Sequence, residues 1–139
     1  MVRIIFMIDD DQDDREIFQE AILKCYPHVE LNFATDGDEA LRILKTNTRN
    51  PDVIFLDYNM PRMTGVDCLR ALKGREKTRS IPVVMYTTSG DAEDKNVTLM
   101  LGADHFMTKP NSFDDLCVEL KRVLNLIENK YRRPGELKE

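Results

Sequence analysis

The chain of 139 residues has no long apolar run. No segment approaches the ~20 consecutive apolar residues of a membrane-spanning helix. The N-terminal apolar stretch, Ile4 to Ile8, runs straight into aspartates, which is too short and too acidic for a signal peptide. Cysteine is scarce. Cys25, Cys68 and Cys117 stand far apart without a CxxC pair, so neither a zinc site nor a redox motif is indicated. Each lies in an apolar-periodic stretch and reads as a buried packing residue, and free thiols fit a reducing cytoplasm. An excess of basic residues is missing too. Twenty Lys and Arg against 25 Asp and Glu leave a formal charge of −5. That balance argues against a generic binder of nucleic acid or anionic membrane, because phosphates attract Lys and Arg. Internal repeats and low-complexity tracts are absent.

What is present fits one domain. The length lies in the usual range, and 42% hydrophobic with 32% charged residues is enough for a core and a solvated surface. The acid is unevenly placed: Asp9, Asp10, Asp11, Asp13, Asp14, Glu16 and Glu20 crowd the first 20 positions. Residues 131–139, with Arg132, Arg133 and Pro134-Gly135, lack periodicity and read as a flexible tail after a domain spanning 1–130.

Five short apolar runs punctuate the domain: Ile4–Ile8, Leu31–Ala34, Val53–Leu56, Val83–Tyr86 and His105–Met107. Near-continuous hydrophobicity marks strands covered on both sheet faces. Between them lie stretches of helical spacing. Their apolar faces are Ile17, Ala21, Ile22 and Cys25; Ala40, Leu41 and Leu44; Val66, Leu69 and Leu72; Val97, Met100 and Leu101; and Phe113 to Ile127. Asp11, Asp36, Thr64, Asp91 and Ser112 each precede an acid by three residues, a pattern that caps helix starts. Strand and helix thus alternate five times. The expected fold is α/β: a doubly wound, five-stranded parallel sheet with five helices on its two faces.

Ligands of such sheets bind beyond the carboxyl ends of the strands. The residues placed there are Asp9, Asp10 and Asp11 after the first strand, Asp57 after the third, Thr87, Thr88 and Ser89 after the fourth, and Lys109-Pro110 after the fifth. One like-charge pair at ~4 Å costs about 4 kcal/mol at an effective dielectric near 20, so clustered carboxylates call for a cation. Oxygen donors without His or Cys suit a hard ion, Mg²⁺ or alternatively Mn²⁺. Mg²⁺ keeps waters or phosphate oxygens, so the site reads as one that handles a phosphoryl group. Lys109 and the Thr87 hydroxyl can then contact its oxygens. Asp57 is the candidate nucleophile. Asp11, Asp13 and Asp14 read as cap and first-turn residues, and the isolated His28 and His105 as structural or exposed.

The motifs Phe6-Met7-Ile8-Asp9-Asp10-Asp11, Phe55-Leu56-Asp57-Tyr58-Asn59-Met60-Pro61, Val84-Met85-Tyr86-Thr87-Thr88 and Gly102 to Pro110 come in a characteristic order. Over roughly residues 3–128 the sequence resembles the receiver domains of bacterial two-component response regulators, which have a flavodoxin-like fold. The resemblance implies that Asp57 accepts a phosphoryl group from a phosphohistidine on a histidine kinase or a histidine phosphotransfer protein. It implies Mg²⁺ on Asp10, Asp57 and the backbone carbonyl of Asn59, with Asp9 acting mainly through water. Thr87 and Lys109 would contact the phosphoryl group. Thr87 and Phe106 would then move as a switch, changing the surface of the fourth helix, fifth strand and fifth helix. It further implies a cis peptide at Lys109-Pro110. Phe106 lacks the hydroxyl of the Tyr found in many members, and Thr88 is bulkier than the usual Ala or Ser.

No output domain is expected after the last helix, so a stand-alone regulator acting on a downstream protein target is the leading reading. Pairing of two copies stays open; nucleic acid and membrane are not expected partners. One alternative is a Mg²⁺-dependent phosphohydrolase with Asp57 as nucleophile. Haloacid dehalogenases of that kind carry an acid two residues later, where this chain has Asn59. An FMN carrier would find Asp9–Asp11 repelling its phosphate. A phosphorylation-independent adaptor of receiver fold is the remaining alternative, against which the full residue set argues.

Overall fold

A computed structural model describes residues 1–88 and 90–130; the expectations for Ser89 and for the tail with Arg132 and Arg133 lie outside the described residues. Strands and helices alternate as β1 (Ile4–Ile8), α1 (Gln12–Cys25), β2 (Glu30–Ala34), α2 (Gly37–Thr46), β3 (Val53–Asp57), α3 (Gly65–Gly74), β4 (Val83–Thr87), α4 (Ala92–Met100), β5 (His105–Thr108) and α5 (Phe113–Lys130). The strands form one sheet in the order β2-β1-β3-β4-β5. Every pairing is parallel. The chain leaves β1 toward β2 and returns on the other side at β3. The carboxyl ends of β1 and β3 therefore flank the point where winding reverses, the natural crevice of an open α/β sheet.

Alternate side chains of the apolar runs feed two cores. Ile5, Met7, Val53 and Phe55 pack with Phe18 and Leu120 on the face covered by α1 and α5. Phe6, Ile8, Ile54 and Leu56 pack with Leu41, Leu44, Leu69 and Leu72 on the face covered by α2 and α3. Along β1, β3 and β4 both sheet faces are thus dry, which is why these strands read as unbroken hydrophobic runs. The Phe18 ring packs at a tilt against Phe55 at 4.9 Å and Tyr86 at 5.6 Å between centroids, a tight aromatic floor beneath the end of β4.

Two helix faces differ from the sequence reading. On α1 the core residue is Phe18 rather than Ile17, which is 45% exposed. Neighbouring positions on a helix lie about 100° apart, and the larger aromatic takes the inward one. On α4 two of the three expected face residues turn outward, Met100 86% exposed and Val97 40% exposed, while Leu101 packs against the α2–α3 core and Thr98 is buried. The Thr98 hydroxyl tolerates burial because it donates back to Asp94 and Lys95 carbonyls at 3.0 Å. Of the cysteines, Cys68 and Cys117 are buried and Cys25 is half-buried.

The caps form as the spacing requires. Asp11 accepts from Asp14 N–H at 3.0 Å, Asp36 from Glu39 N–H at 2.8 Å, Thr64 from Asp67 N–H at 3.2 Å and Ser112 from Asp115 N–H at 3.1 Å. Asp91 instead accepts from Glu93 N–H at 2.8 Å. At α2 the Glu39 carboxylate also reaches back past the cap, accepting from Thr35 N–H at 2.7 Å. Replacing Asp36 by Ala leaves one orphan N–H and should cost about 1 kcal/mol. A thermal midpoint lowered by a few degrees checks this; an unchanged midpoint speaks against the cap.

Candidate functional site

Asp9 leaves β1 fully buried, and its backbone is tied on both sides. Its N–H donates to Ala34 O at 3.1 Å, and its carbonyl accepts from Arg15 Nη1 at 2.8 Å. The carboxylate accepts from Asp11 N–H at 2.9 Å and from Lys109 Nζ at 3.0 Å. Asp10, the next residue, is exposed. Asp57 ends β3 and is only 6% exposed. One carboxylate oxygen each from Asp9, Asp10 and Asp57 lie within 4.8 Å of one another. The sheet brings them together because β1 and β3 are parallel neighbours, with Ile8 opposite Leu56.

Lys109 follows β5 and crosses toward this cluster. Its backbone N–H donates to Thr87 O at 2.6 Å, which fixes where the side chain starts. Its Nζ sits 2.7 Å from Asp14, 3.0 Å from Asp9 and 3.5 Å from Asp57. The same ammonium lies 5.1 Å from the centre of the Tyr86 ring. Thr87 is buried at the end of β4, and its Oγ1 accepts from Asn59 Nδ2 at 3.5 Å. The Asn59 backbone N–H is close enough to the Asp57 carboxylate to lower its pKa. Thr88 is exposed. Phe106 is half-buried against the α2–α3 core, level with Met85 of β4. Tyr58 is tied outward instead, its hydroxyl donating to Asp94 of α4 at 2.8 Å.

The charges are out of balance in a way that defines the chemistry. Burial, and then the Asp9 carboxylate, push the Asp57 pKa from 3.8 up to about 7, although Lys109 and the Asn59 N–H pull it down. Burial likewise raises Asp9, against the hydrogen bond from Asp11 and the charge of Lys109. Burial opposes the charge on Lys109, but the bond to Asp14 and the carboxylates of Asp9 and Asp57 outweigh it, so its pKa rises. One ammonium does not neutralise the three carboxylates within 3.5 Å of it. The all-oxygen donor set and the close approach of Asp9, Asp10 and Asp57 fit a hard divalent cation.

Two expectations are corrected. The Lys109-Pro110 peptide is trans, since no peptide bond among the described residues is cis. The two isomers of an X-Pro bond differ by only about 0.5–1 kcal/mol, so local sequence does not decide between them. Asp14 is more than a first-turn acid: it is the nearest carboxylate to Lys109 Nζ, at 2.7 Å. A signal was available, because helical side chains lean toward the N-terminus and an acid in the first turn therefore leans toward the strand edge.

A family model described as the response regulator receiver domain matches residues 5–121. The phosphate regulon transcriptional regulatory protein PhoB of Escherichia coli is 35% identical over 131 residues, which is 91% of this chain and 54% of PhoB. The chain therefore spans about half the length of the curated relatives it matches. Among solved structures, the phosphorylated cyanobacterial phytochrome response regulator RcpA superposes with TM-score 0.85 at 27% identity, covering 96% of this chain and 99% of RcpA. The Mn²⁺-bound form of the response regulator Rcp1 superposes with TM-score 0.77 at 27% identity, over 87% of this chain and 91% of Rcp1. The fold, the gathered acids and the match from β1 into α5 agree, and the chain belongs to the receiver domains of two-component response regulators.

Proposed function

We propose that Asp57 is the phosphoacceptor, taking a phosphoryl group from a phosphohistidine on a histidine kinase or histidine phosphotransfer protein in the cytoplasm. One observation carries this reading: a buried carboxylate lies 3.5 Å from a lysine ammonium and shares a 4.8 Å cluster with two further acids. The Mn²⁺-bound Rcp1 and phosphorylated RcpA structures support it by likeness. An Asp57 carboxylate oxygen attacks phosphorus, the P–N bond breaks, and its electron pair leaves with the imidazole nitrogen, which then takes up a proton. Asp10, Asp57 and the Asn59 carbonyl would hold Mg²⁺, with Asp9 acting mainly through water, and the ion would supply positive charge against the transferred group. Lys109 and the Thr87 hydroxyl bind phosphoryl oxygens. Lys109 and the metal also keep Asp57 ionised as a nucleophile despite its burial.

Phosphorylation draws on Thr87, and the half-buried Phe106 repacks beside it. The change reaches the face of α4, β5 and α5, where a downstream protein docks. The protein so read is a signalling phosphoacceptor that catalyses its own phosphorylation and slow dephosphorylation. Incubation with acetyl phosphate and Mg²⁺ tests this, read by intact mass and peptide mapping. One phosphoryl adduct on the Asp57 peptide, absent with chelator, is expected. No adduct, or an adduct on another acid, overturns the assignment.

A further inference from the structure

The ammonium of Lys109 has three donors and three carboxylates within reach, but they are not equivalent. Asp14 is nearest at 2.7 Å, Asp9 follows at 3.0 Å, and Asp57 at 3.5 Å lies at the edge of hydrogen-bond range. Asp9 and Asp57 are the carboxylates assigned to the metal. Asp14 stands apart from that set, on the first turn of α1. The lysine has little freedom to go elsewhere. Its side chain is 10% exposed, its backbone is bonded to Thr87, and its charge lies against the Tyr86 ring. Without Asp14, the ammonium has, among the described residues, the Asp9 and Asp57 carboxylates on which to settle, and there it competes with a cation for the same oxygens.

We propose that Asp14 is the positioning residue of Lys109: it holds the ammonium off the metal-binding carboxylates, so that a divalent cation and the lysine occupy the site together. The inference rests on the reading of Asp9, Asp10 and Asp57 as metal ligands. It adds a residue whose role is exerted through Lys109.

Mn²⁺ alone is the probe, with binding followed by the loss of its free paramagnetic resonance signal. Asp14→Asn keeps size and hydrogen-bonding capacity while removing the charge. Asp13→Asn removes the same charge from the exposed neighbouring position. If Asp14 acted only as background charge, the two variants would weaken Mn²⁺ alike, by about twofold, since exposed charges are screened by water and salt. As a positioning residue, Asp14→Asn should weaken it about fivefold or more. In a Lys109→Met background the excess should vanish, leaving Asp14→Asn equal to Asp13→Asn. Equal effects in the lysine-containing protein, or an excess that survives removal of the lysine, overturn the inference while the metal site stands. Failure of the unaltered protein to bind Mn²⁺ overturns the metal reading and this inference with it. Circular dichroism of each variant confirms that the comparison is between folded proteins.

Discussion

With divalent metal removed, Asp57→Asn should melt at a higher temperature than the unaltered protein near pH 8, while accepting no phosphoryl group. The stabilisation follows from the cost of a buried charge. Burial and the Asp9 carboxylate raise the Asp57 pKa from 3.8 to about 7. A carboxyl whose folded-state pKa exceeds its unfolded one favours the native state only while protonated. Between the two values the unfolded chain has released a proton that the native form keeps, so stability falls as pH rises from about 4 to about 7. Three pKa units correspond to a ceiling of about 4 kcal/mol. Asp9 carries part of the same repulsion, so about 2 kcal/mol, on the order of 5–10 °C in melting temperature, is the expected gain. Lys109 keeps two partners in the variant, Asp14 and Asp9, and is not left as an unpaired buried cation. The gap should narrow toward pH 4 and close only below it, where the carboxyl is protonated in both states. Saturating Mg²⁺ should narrow it at pH 8, because the ligand stabilises the intact site preferentially. Equal melting temperatures at pH 8 in chelator, or a gap undiminished at pH 4, would count against the charge-burial account.

That liability is what links the sequence to the site. The three central strands are legible because each apolar run is covered on both faces, and a run such as Val53–Leu56 has few other uses; the edge strands β2 and β5 are half-covered and read more weakly. The parallel order of the five strands then forces Asp9, Asp10, Asp57, Thr87 and Lys109 to one edge, which is why residues far apart in sequence could be grouped before any coordinates. The remainder was set by side-chain geometry and by small energy differences. Ile17 and Phe18 are both apolar, and only the rotation of α1 against β3 selects Phe18 for the core. On α4 the helical spacing is real, but spacing alone does not say whether a face meets the sheet or solvent; Met100 meets solvent. Capping explained Asp14 too cheaply. Its backbone N–H does serve the Asp11 cap, while its side chain serves Lys109 from across the sheet edge, a long-range contact that local pattern does not reveal.

Gly65→Ala should be strongly damaging, against the usual benefit of alanine in helices. Gly65 opens α3 immediately after the Thr64 cap. A Cβ at this position would lie 2.5 Å from Asp57 O, 2.7 Å from Tyr58 Cα and 2.9 Å from Tyr58 O. All three are backbone atoms, so no rotamer change relieves the clash. The two segments are already bonded, with Gly65 N–H donating to Tyr58 O at 3.0 Å. Either α3 or the phosphoacceptor loop must give way. The segment carries the Asp57 carboxylate, the Asn59 N–H that lowers its pKa, and Tyr58, which is tied to Asp94 of α4. Overpacking of this kind costs about 2–3 kcal/mol. Displacement of a reacting group by about 1 Å can cost on the order of a hundredfold in rate. Phosphorylation by acetyl phosphate should therefore slow at least about tenfold, with melting lowered by on the order of 10 °C. Gly74, at the other end of α3, supplies the comparison, because a Cβ there meets nothing within 4 Å. Gly74→Ala should leave phosphorylation unchanged and raise stability by about 0.5–1 kcal/mol. If both variants behave alike, the close approach of α3 to the Asp57 loop does not control the site. If Gly65→Ala alone fails, the missing side chain at position 65 is what lets β3 deliver Asp57 to the acidic cluster.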